Sequence, residues 1–481
     1  MNRISDRMSG IARMGRGLAL VGLTAGMAAA ENIPLNVSGF AWTQGLYAPK
    51  VYQGAANFDN NSFIQAGGMG FINQKPNDNW DANLSFGVAF GNNAIKKTLK
   101  TDSGAVVGRI NPHSVALGMN AFLYEANVAY KTASDAFAVK IGKFHYVYSD
   151  YNHNMGLYLL RGPVYPGFLY SGFEDIAPLT KTGFQFTYKP MSTLTLDVLP
   201  TVETDFKPFM DLNLSAFLTY KQGLFELGAG VESQRLVEFN SCITSPSGKA
   251  DVDECLGGDP KTAYAGDSDL YQSAFMIIDT LGGKRDTLTY SLAGTKVMVR
   301  GALDFKAVLG EYQGSAKDWV FYFEAALLGV KDYPLIYTKK SERMPMLAGF
   351  NFPTYGLLDL ASLEVEYYNA PYQNDPYKLV GAYDVFQFSD GNSINYAFSP
   401  IPPSNVKGSP HLAKAQEDFD PKKDNLKWSL MLQKKVADRI TFKFQLASDH
   451  WRVPNNNFVQ YEAASEPGQF YSALRVDYFL H

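Results

Sequence analysis

Residues 80–90 alternate without a break. Trp80, Ala82, Leu84, Phe86, Val88 and Phe90 fall on one side, and Asp81, Asn83, Ser85, Gly87 and Ala89 on the other. Side chains alternate across a β-strand, so this run has one apolar and one polar face. The pattern recurs along the chain. Phe122, Tyr124, Ala126, Val128 and Tyr130 oppose Glu125 and Asn127, and Phe184, Phe186 and Tyr188 oppose Lys181, Gln185 and Lys189. Leu212, Leu214, Ala216, Leu218 and Tyr220 oppose Asp211, Asn213 and Thr219, and Phe225, Leu227, Ala229 and Val231 oppose Glu226 and Glu232. Trp319, Phe321, Phe323, Ala325 and Leu327 oppose Glu324, and Ile440, Phe442, Phe444 and Leu446 oppose Thr441, Lys443 and Gln445. None of these apolar faces carries a charge. No helical periodicity persists anywhere, so the chain is all-β and must place one face of each strand in an apolar medium.

Two architectures do this: a soluble sandwich, or a barrel closed within lipid. Arg3, Arg7, Arg13 and Arg16 precede a short apolar core, Leu18 to Met27, and the small residues Ala28, Ala29 and Ala30. That is the layout of an export signal, so residues 1–30 are expected to be cleaved and 31–481 to form the mature chain. No later apolar run is long enough to span a bilayer as a helix, and only helices and closed barrels satisfy the backbone in lipid. The mean hydropathy of −0.16 fits either solution, because a membrane barrel is apolar on one face only.

Link lengths separate the two. Short links near 74–79, 131–135, 189–191, 221–223, 353–356 and 435–438, and a longer one at 306–318, alternate with links near 43–61, 92–118, 143–179, 199–210, 232–288, 331–341, 369–424 and 449–468. Strict alternation of short and long links, with about 16 strands, predicts a transmembrane antiparallel up-and-down barrel with short periplasmic turns and long extracellular loops. The less regular strands are placed near 33–42, 62–72, 289–305 and 342–352. Aromatic residues near the ends of the apolar faces predict two girdles at the membrane boundaries.

Other functions are disfavoured. Removing the four Arg and one Asp of residues 1–30 takes the formal charge from −4 to −7, the wrong sign for nucleic acid. No G-x-S-x-G elbow or P-loop occurs, so neither an enzyme nor a cofactor is expected. Asp251, Asp253, Glu254, Asp259, Asp267 and Asp269 match no calcium-loop spacing and read as a solvated acidic loop. Cys242 and Cys255 lie in one polar segment of an exported chain and are expected to form a disulfide.

The last strand, Phe470 to Leu480, resembles the C-terminal signal strand of Gram-negative outer-membrane β-barrel proteins of the porin type. Leu474, Val476, Tyr478 and Leu480 hold its alternating places; Leu480 stands where that family has an aromatic residue, and His481 follows it. The segment Ala138-Val139-Lys140-Ile141-Gly142-Lys143-Phe144 looks like the strand that enters the pore-narrowing loop in many porins, which makes 143–179 the candidate constriction. The resemblance implies residence in the outer membrane after export through the periplasm, contact with outer-membrane lipid, and insertion by the barrel-assembly machinery. It also implies a homotrimer, for which Ala66, Gly68 and Gly70 offer a small-residue contact face.

A barrel of this size leaves an aqueous channel. The residues expected to line it are Asp81, Glu125, Lys140, Lys181, Lys189, Asp197, Glu226, Glu324, Glu364, Glu366, Lys443, Arg475 and Asp477. Glu364 and Glu366 share a face, with Glu324 on a strand nearby, which suggests an acidic patch and a weak preference for cations. Tyr146, Tyr148, Tyr165 and Tyr170 are a candidate track for sugar rings, as sugar-conducting porins would imply. The reading that emerges is a passive channel for small hydrophilic solutes or ions. A transporter of hydrophobic compounds and a surface-binding barrel acting through loops such as 369–424 stay open as alternatives.

Overall fold

The computed structural model describes residues 35–47, 62–91, 97–100, 106–110, 120–153, 155–159, 180–202, 210–237, 274–279, 286–291, 294–309, 314–331, 339–369, 425–448, 450–454, 460–464 and 470–480, with 49, 204 and 312. Residues 1–30, Tyr165, Tyr170, Cys242, Cys255 and most of the links 232–288 and 369–424 lie outside them.

Sixteen strands close into one antiparallel barrel. In chain order they are β1 Leu35–Tyr47, β2 Ser62–Asn77, β3 Trp80–Gly91 and β4 Asn120–Lys131. Next come β5 Phe137–Phe144, β6 Lys181–Met191, β7 Leu194–Val202 and β8 Leu212–Gln222. The second half holds β9 Phe225–Val237, β10 Gly294–Asp304, β11 Val320–Leu327 and β12 Met346–Asn351. It finishes with β13 Leu360–Tyr367, β14 Leu426–Ala437, β15 Ile440–Ser448 and β16 Phe470–Leu480. Each strand pairs with its chain neighbours, and β1 also pairs with β16, from Gly39 opposite Leu480 to Tyr47 opposite Ser472. Closure leaves no sheet edge, which a lipid-facing sheet requires. Among the described residues no helix is long and apolar enough to cross a membrane.

The polarity is that of a soluble protein turned inside out. Val299, Phe323, Leu474 and Tyr478 are among many large apolar side chains exposed on the outer face, while Lys296, Arg300, Glu324, Glu364, Lys443 and Arg475 are buried on the inner one. An apolar outer surface this extensive needs a nonpolar solvent around it. Trp80 and Tyr130 meet at 4.9 Å at the short-link end, and Tyr188, Tyr220 and Tyr478 are exposed near that same end. Tyr47, Tyr367 and Phe470 are exposed at the other end. These are the two aromatic girdles.

Several boundaries differ from the sequence expectation. The first two strands run on to Tyr47 and Asn77. The expected strand 289–305 is split: Asp286–Ser291 pairs with Ala274–Asp279 as a separate two-stranded sheet, and only Gly294–Asp304 joins the barrel. Two further hairpins, Lys97–Lys100 with Val106–Ile110 and His450–Pro454 with Gln460–Ala464, sit in long links. A register shift between β3 and β4 at Ser85/Phe86 also changes which residues face out. Tyr124 is thereby buried inside, and Leu123 is exposed in its place. A bulge inserts one residue and reverses the alternation beyond it.

Val299 lies on the outer face, opposite Ala325 and Ala229. Replacing it with Lys is expected to cost about 2–4 kcal/mol if it lies near the bilayer midplane. The loss is read from denaturant unfolding of the refolded barrel in lipid vesicles.

Candidate functional site: a segment folded across the lumen

The chain leaves the wall early at β5. Gly142 has a φ of +125°, and a Cβ there would stand 2.2 Å from the Ala126 carbonyl oxygen on β4, so the close approach admits only glycine. Phe144 ends the strand fully buried. The residues that follow reach β11 and β13, and β13 lies eight strands from β5 in a ring of sixteen, on the opposite wall. The segment 145–159 therefore crosses the lumen.

Its path is fixed by contacts that can be followed in order. The His145 amide donates to Glu125 on β4 at 2.8 Å. The Tyr146 hydroxyl donates to Asp197 on β7 at 2.8 Å, and the rings of Tyr146 and Tyr148 each lie 5.1 Å from Phe217 on β8. Burial, with the Asp197 carboxylate adding to it, pushes the Tyr146 phenol well above its ordinary value, so it remains a donor at neutral pH. The Tyr148 hydroxyl donates to Glu324 on β11, and the Tyr151 hydroxyl to Glu226 on β9 at 3.2 Å.

The far end is a clasp of backbone amides on wall carboxylates. The amides of His153 and Met155 donate to Glu364, the latter at 2.6 Å. Gly156 donates to Glu366 at 3.2 Å, and Leu157 and Tyr158 each donate to Glu324 at 2.7 Å. Glu324 accepts in addition from the Asn152 side chain, so with Tyr148 its four lone-pair positions are filled. Tyr322 donates to Glu364 at 2.8 Å from the wall side. Gly156 and Leu157 both have left-handed φ values, +83° and +62°, which turn successive amides toward one side. Such a run of N–H groups forms an anion-binding concavity, occupied here by the protein's own carboxylates. The segment closes with Lys296 on β10 donating to the Leu159 carbonyl at 3.1 Å.

Beneath it the inner wall is ionically paired. Glu232 lies between Lys181 at 3.4 Å and Lys296 at 3.2 Å. Glu226 takes Arg300 and, at 3.4 Å, Lys221. On the uncovered side, Lys443 and Asp477 are 2.9 Å apart, Arg475 bonds Asp477, and the Arg475 guanidinium lies 5.2 Å over the Trp42 ring. A ladder of side-chain amides, Asn73 to Asn83 to Asn127, runs across β2, β3 and β4, and Asn73 also bonds Asp81.

The expected lining residues thus occupy three situations. Glu324, Glu364 and Glu366 are brought together, and their oxygens accept from neutral donors of the crossing segment. Asp81, Glu125, Lys140, Lys181, Asp197, Glu226, Lys443, Arg475 and Asp477 lie on the inner wall, most of them already engaged. Lys189 sits at the short-link rim, bonded to Asp135 at 2.7 Å. Tyr146 and Tyr148 are buried, with rings packed and hydroxyls occupied, so they present no open face to a solute. Leu474 and Tyr478 are exposed on the outer face, as is Leu480. The alternation alone missed the inward aromatics Phe217, Tyr322, Phe40 and Trp42, although their parity in the strands was available as a signal.

A Cβ at Gly156 would stand 2.2 Å from the Asn152 side-chain nitrogen and 2.8 Å from Glu324 Oε2. Gly156→Ala adds the left-handed backbone cost of roughly 1–2 kcal/mol to that clash. The substitution is expected to make 145–159 cleavable by a small protease while the barrel stays folded and heat-modifiable; wild-type resistance in the variant would contradict the clasp.

No protein-family model matches the chain, and no curated protein does. Solved structures do. An engineered variant of the Rhodopseudomonas blastica porin is 8% identical, covering 93% of this chain and all of that one at a TM-score of 0.41. Another engineered variant of the same porin is 9% identical over the same shares, at 0.40. Pseudomonas putida OprB at high pH is 9% identical, covering 93% of this chain and 94% of that one at 0.49.

Proposed function

We propose that this protein is an outer-membrane channel for passive diffusion of small hydrophilic solutes or ions, narrowed by the segment 145–159. The observation that carries the reading is a closed sixteen-strand barrel whose inner wall is polar and whose outer wall is apolar. Barrels of this size leave room for water beyond what their own side chains fill. The crossing segment lies against the β7 to β13 side, so solutes would pass between it and the amide ladder of β2 to β4. Those amides both donate and accept hydrogen bonds, which suits neutral hydroxylated solutes such as sugars as well as hydrated ions. Tyr165 and Tyr170 remain the proposed sugar contacts.

A hydrophobic-compound transporter needs a plug, and the first described strand, Leu35–Tyr47, is part of the wall. No catalytic role is proposed. Residues 1–30 act in this reading as the export signal, Cys242 and Cys255 as a loop disulfide, and the barrel-assembly machinery recognises β16. The homotrimer contact is proposed on the outer face of β1 and β2, where Ala66, Gly68 and Gly70 pair with Thr43, Ala41 and Gly39.

Single-channel recording in planar bilayers tests the reading. The refolded chain is expected to give ohmic steps, and Glu324→Ala to raise their size roughly twofold by releasing the crossing segment. A folded, heat-modifiable barrel that passes no current would sink the channel. An unchanged step in Glu324→Ala would remove the segment from the constriction.

A further inference from the structure

Three consecutive short links are bonded to one another: those joining β10 to β11, β12 to β13 and β14 to β15. The fully buried carboxylate of Asp318 accepts from the Tyr312 hydroxyl at 2.7 Å and the Ser315 amide at 3.1 Å. It also accepts from the amide and the hydroxyl of Thr354, each at 2.9 Å. Ser315 Oγ donates to the Asp359 carbonyl at 2.5 Å, Lys434 Nζ to the Gly356 carbonyl at 2.9 Å, and the Lys435 amide to the Asp359 carboxylate. Tyr355 and Gly356 sit at the centre of a tight turn, closed by the Leu357 amide on the Thr354 carbonyl at 3.0 Å, with φ values of +50° and +80°. A left-handed tyrosine is costly, and the bonds of Thr354 to Asp318 hold the turn in that form.

This bonded platform displays apolar side chains. Val308 and Leu309 on the short helix Lys306–Leu309, Tyr355 and Leu357 on the second link, and Val436 on the third are all at least half exposed, Leu357 at 78%. At the other four short links the exposed tips are polar or small: Asn77 and Asp78, Ser134 and Asp135, Ser192, and Gln222 and Gly223, with Met191 the exception. The patch is also continuous with the outer wall. Phe352 extends the outward side of β12, where Met346 and Ala348 are exposed. Its ring meets that of Phe350 at 5.0 Å, and Phe350 meets Trp319 at 6.3 Å. Tyr355 in turn lies 6.2 Å from Tyr312, the phenol that bonds Asp318.

We infer that this three-link platform is seated in the periplasmic leaflet of the membrane, against phospholipid acyl chains and glycerol backbones, rather than in periplasmic water. A large exposed apolar patch marks a contact surface, and this one runs directly into a wall that already faces lipid. Tyr355 suits such a boundary, with an apolar ring and a polar tip. Because the tips of the other short links are polar, the insertion is one-sided, and the barrel sits deeper along β10 to β15 than along β2 to β9. The inference goes beyond the channel reading and holds whether or not the barrel conducts.

Spin labelling of the refolded barrel tests it. Nitroxides are placed at Leu357→Cys and Val308→Cys, and at Ser134→Cys on the opposite side of the rim, in a chain carrying Cys242→Ser and Cys255→Ser. All three sites are exposed, so the labels need no repacking. In phosphatidylethanolamine–phosphatidylglycerol vesicles, collisions are measured with oxygen, which concentrates in lipid, and with a water-soluble nickel chelate. The oxygen-to-nickel ratio is expected to be severalfold higher at Leu357→Cys and Val308→Cys than at Ser134→Cys. A ratio at either site no higher than at Ser134→Cys would put the platform in water and overturn the inference. Shielding of those labels from both reagents would mean that a second copy of the chain covers the patch, and would overturn it equally.

Discussion

Hydrogen bonding between β1 and β16 is the step on which everything else depends. A sheet surrounded by lipid has no water to satisfy the amides and carbonyls of an open edge, and each unmet group costs several kcal/mol. Pairing Leu35–Tyr47 with Phe470–Leu480 removes both edges at once. Closure then dictates polarity. One face of every strand meets lipid and must be apolar, so the charge of the strands is driven to the inside. The seam carries its own internal packing, with Phe40 and Trp42 against the Arg475 guanidinium.

Once charge is confined to a closed interior, each buried ion needs a partner. The wall meets this in two ways. Lysines and arginines on neighbouring strands pair with Glu226, Glu232 and Asp477, and Lys181 reaches Glu232 from three strands away. Glu324, Glu364 and Glu366 take backbone amides of a segment that comes from the opposite wall. The same bonds that satisfy these carboxylates hold the segment across the lumen, so wall stability and passage width are set by one set of contacts.

The barrel was legible because alternation and link rhythm are local. A ten-residue window shows which face is apolar, and the order of links shows which strands are hairpins. What escaped was not local. The shift at Ser85/Phe86 reverses the facing of Tyr124 without disturbing the look of the sequence. Asp286–Ser291 reads like the start of β10, but its pairing partner is Ala274–Asp279. Glu324 bonds Asn152 from 172 positions away, and Glu364 bonds His153 from 211. No pattern in either segment announces the other. Glu364 and Glu366 could be placed on one inner face, but whether they meet solvent or amides depends on the path of a loop.

Hydrogen exchange on the folded barrel, resolved at individual amides, tests the central claim that wall carboxylates hold 145–159 across the lumen. The amides of His153, Met155, Gly156, Leu157 and Tyr158 should be protected to the degree of barrel strands, and Glu324→Ala should strip protection from Leu157 and Tyr158. Exchange of all five in the wild type at the rate of free peptide would mean the segment is not clasped, and the account of the constriction would fail.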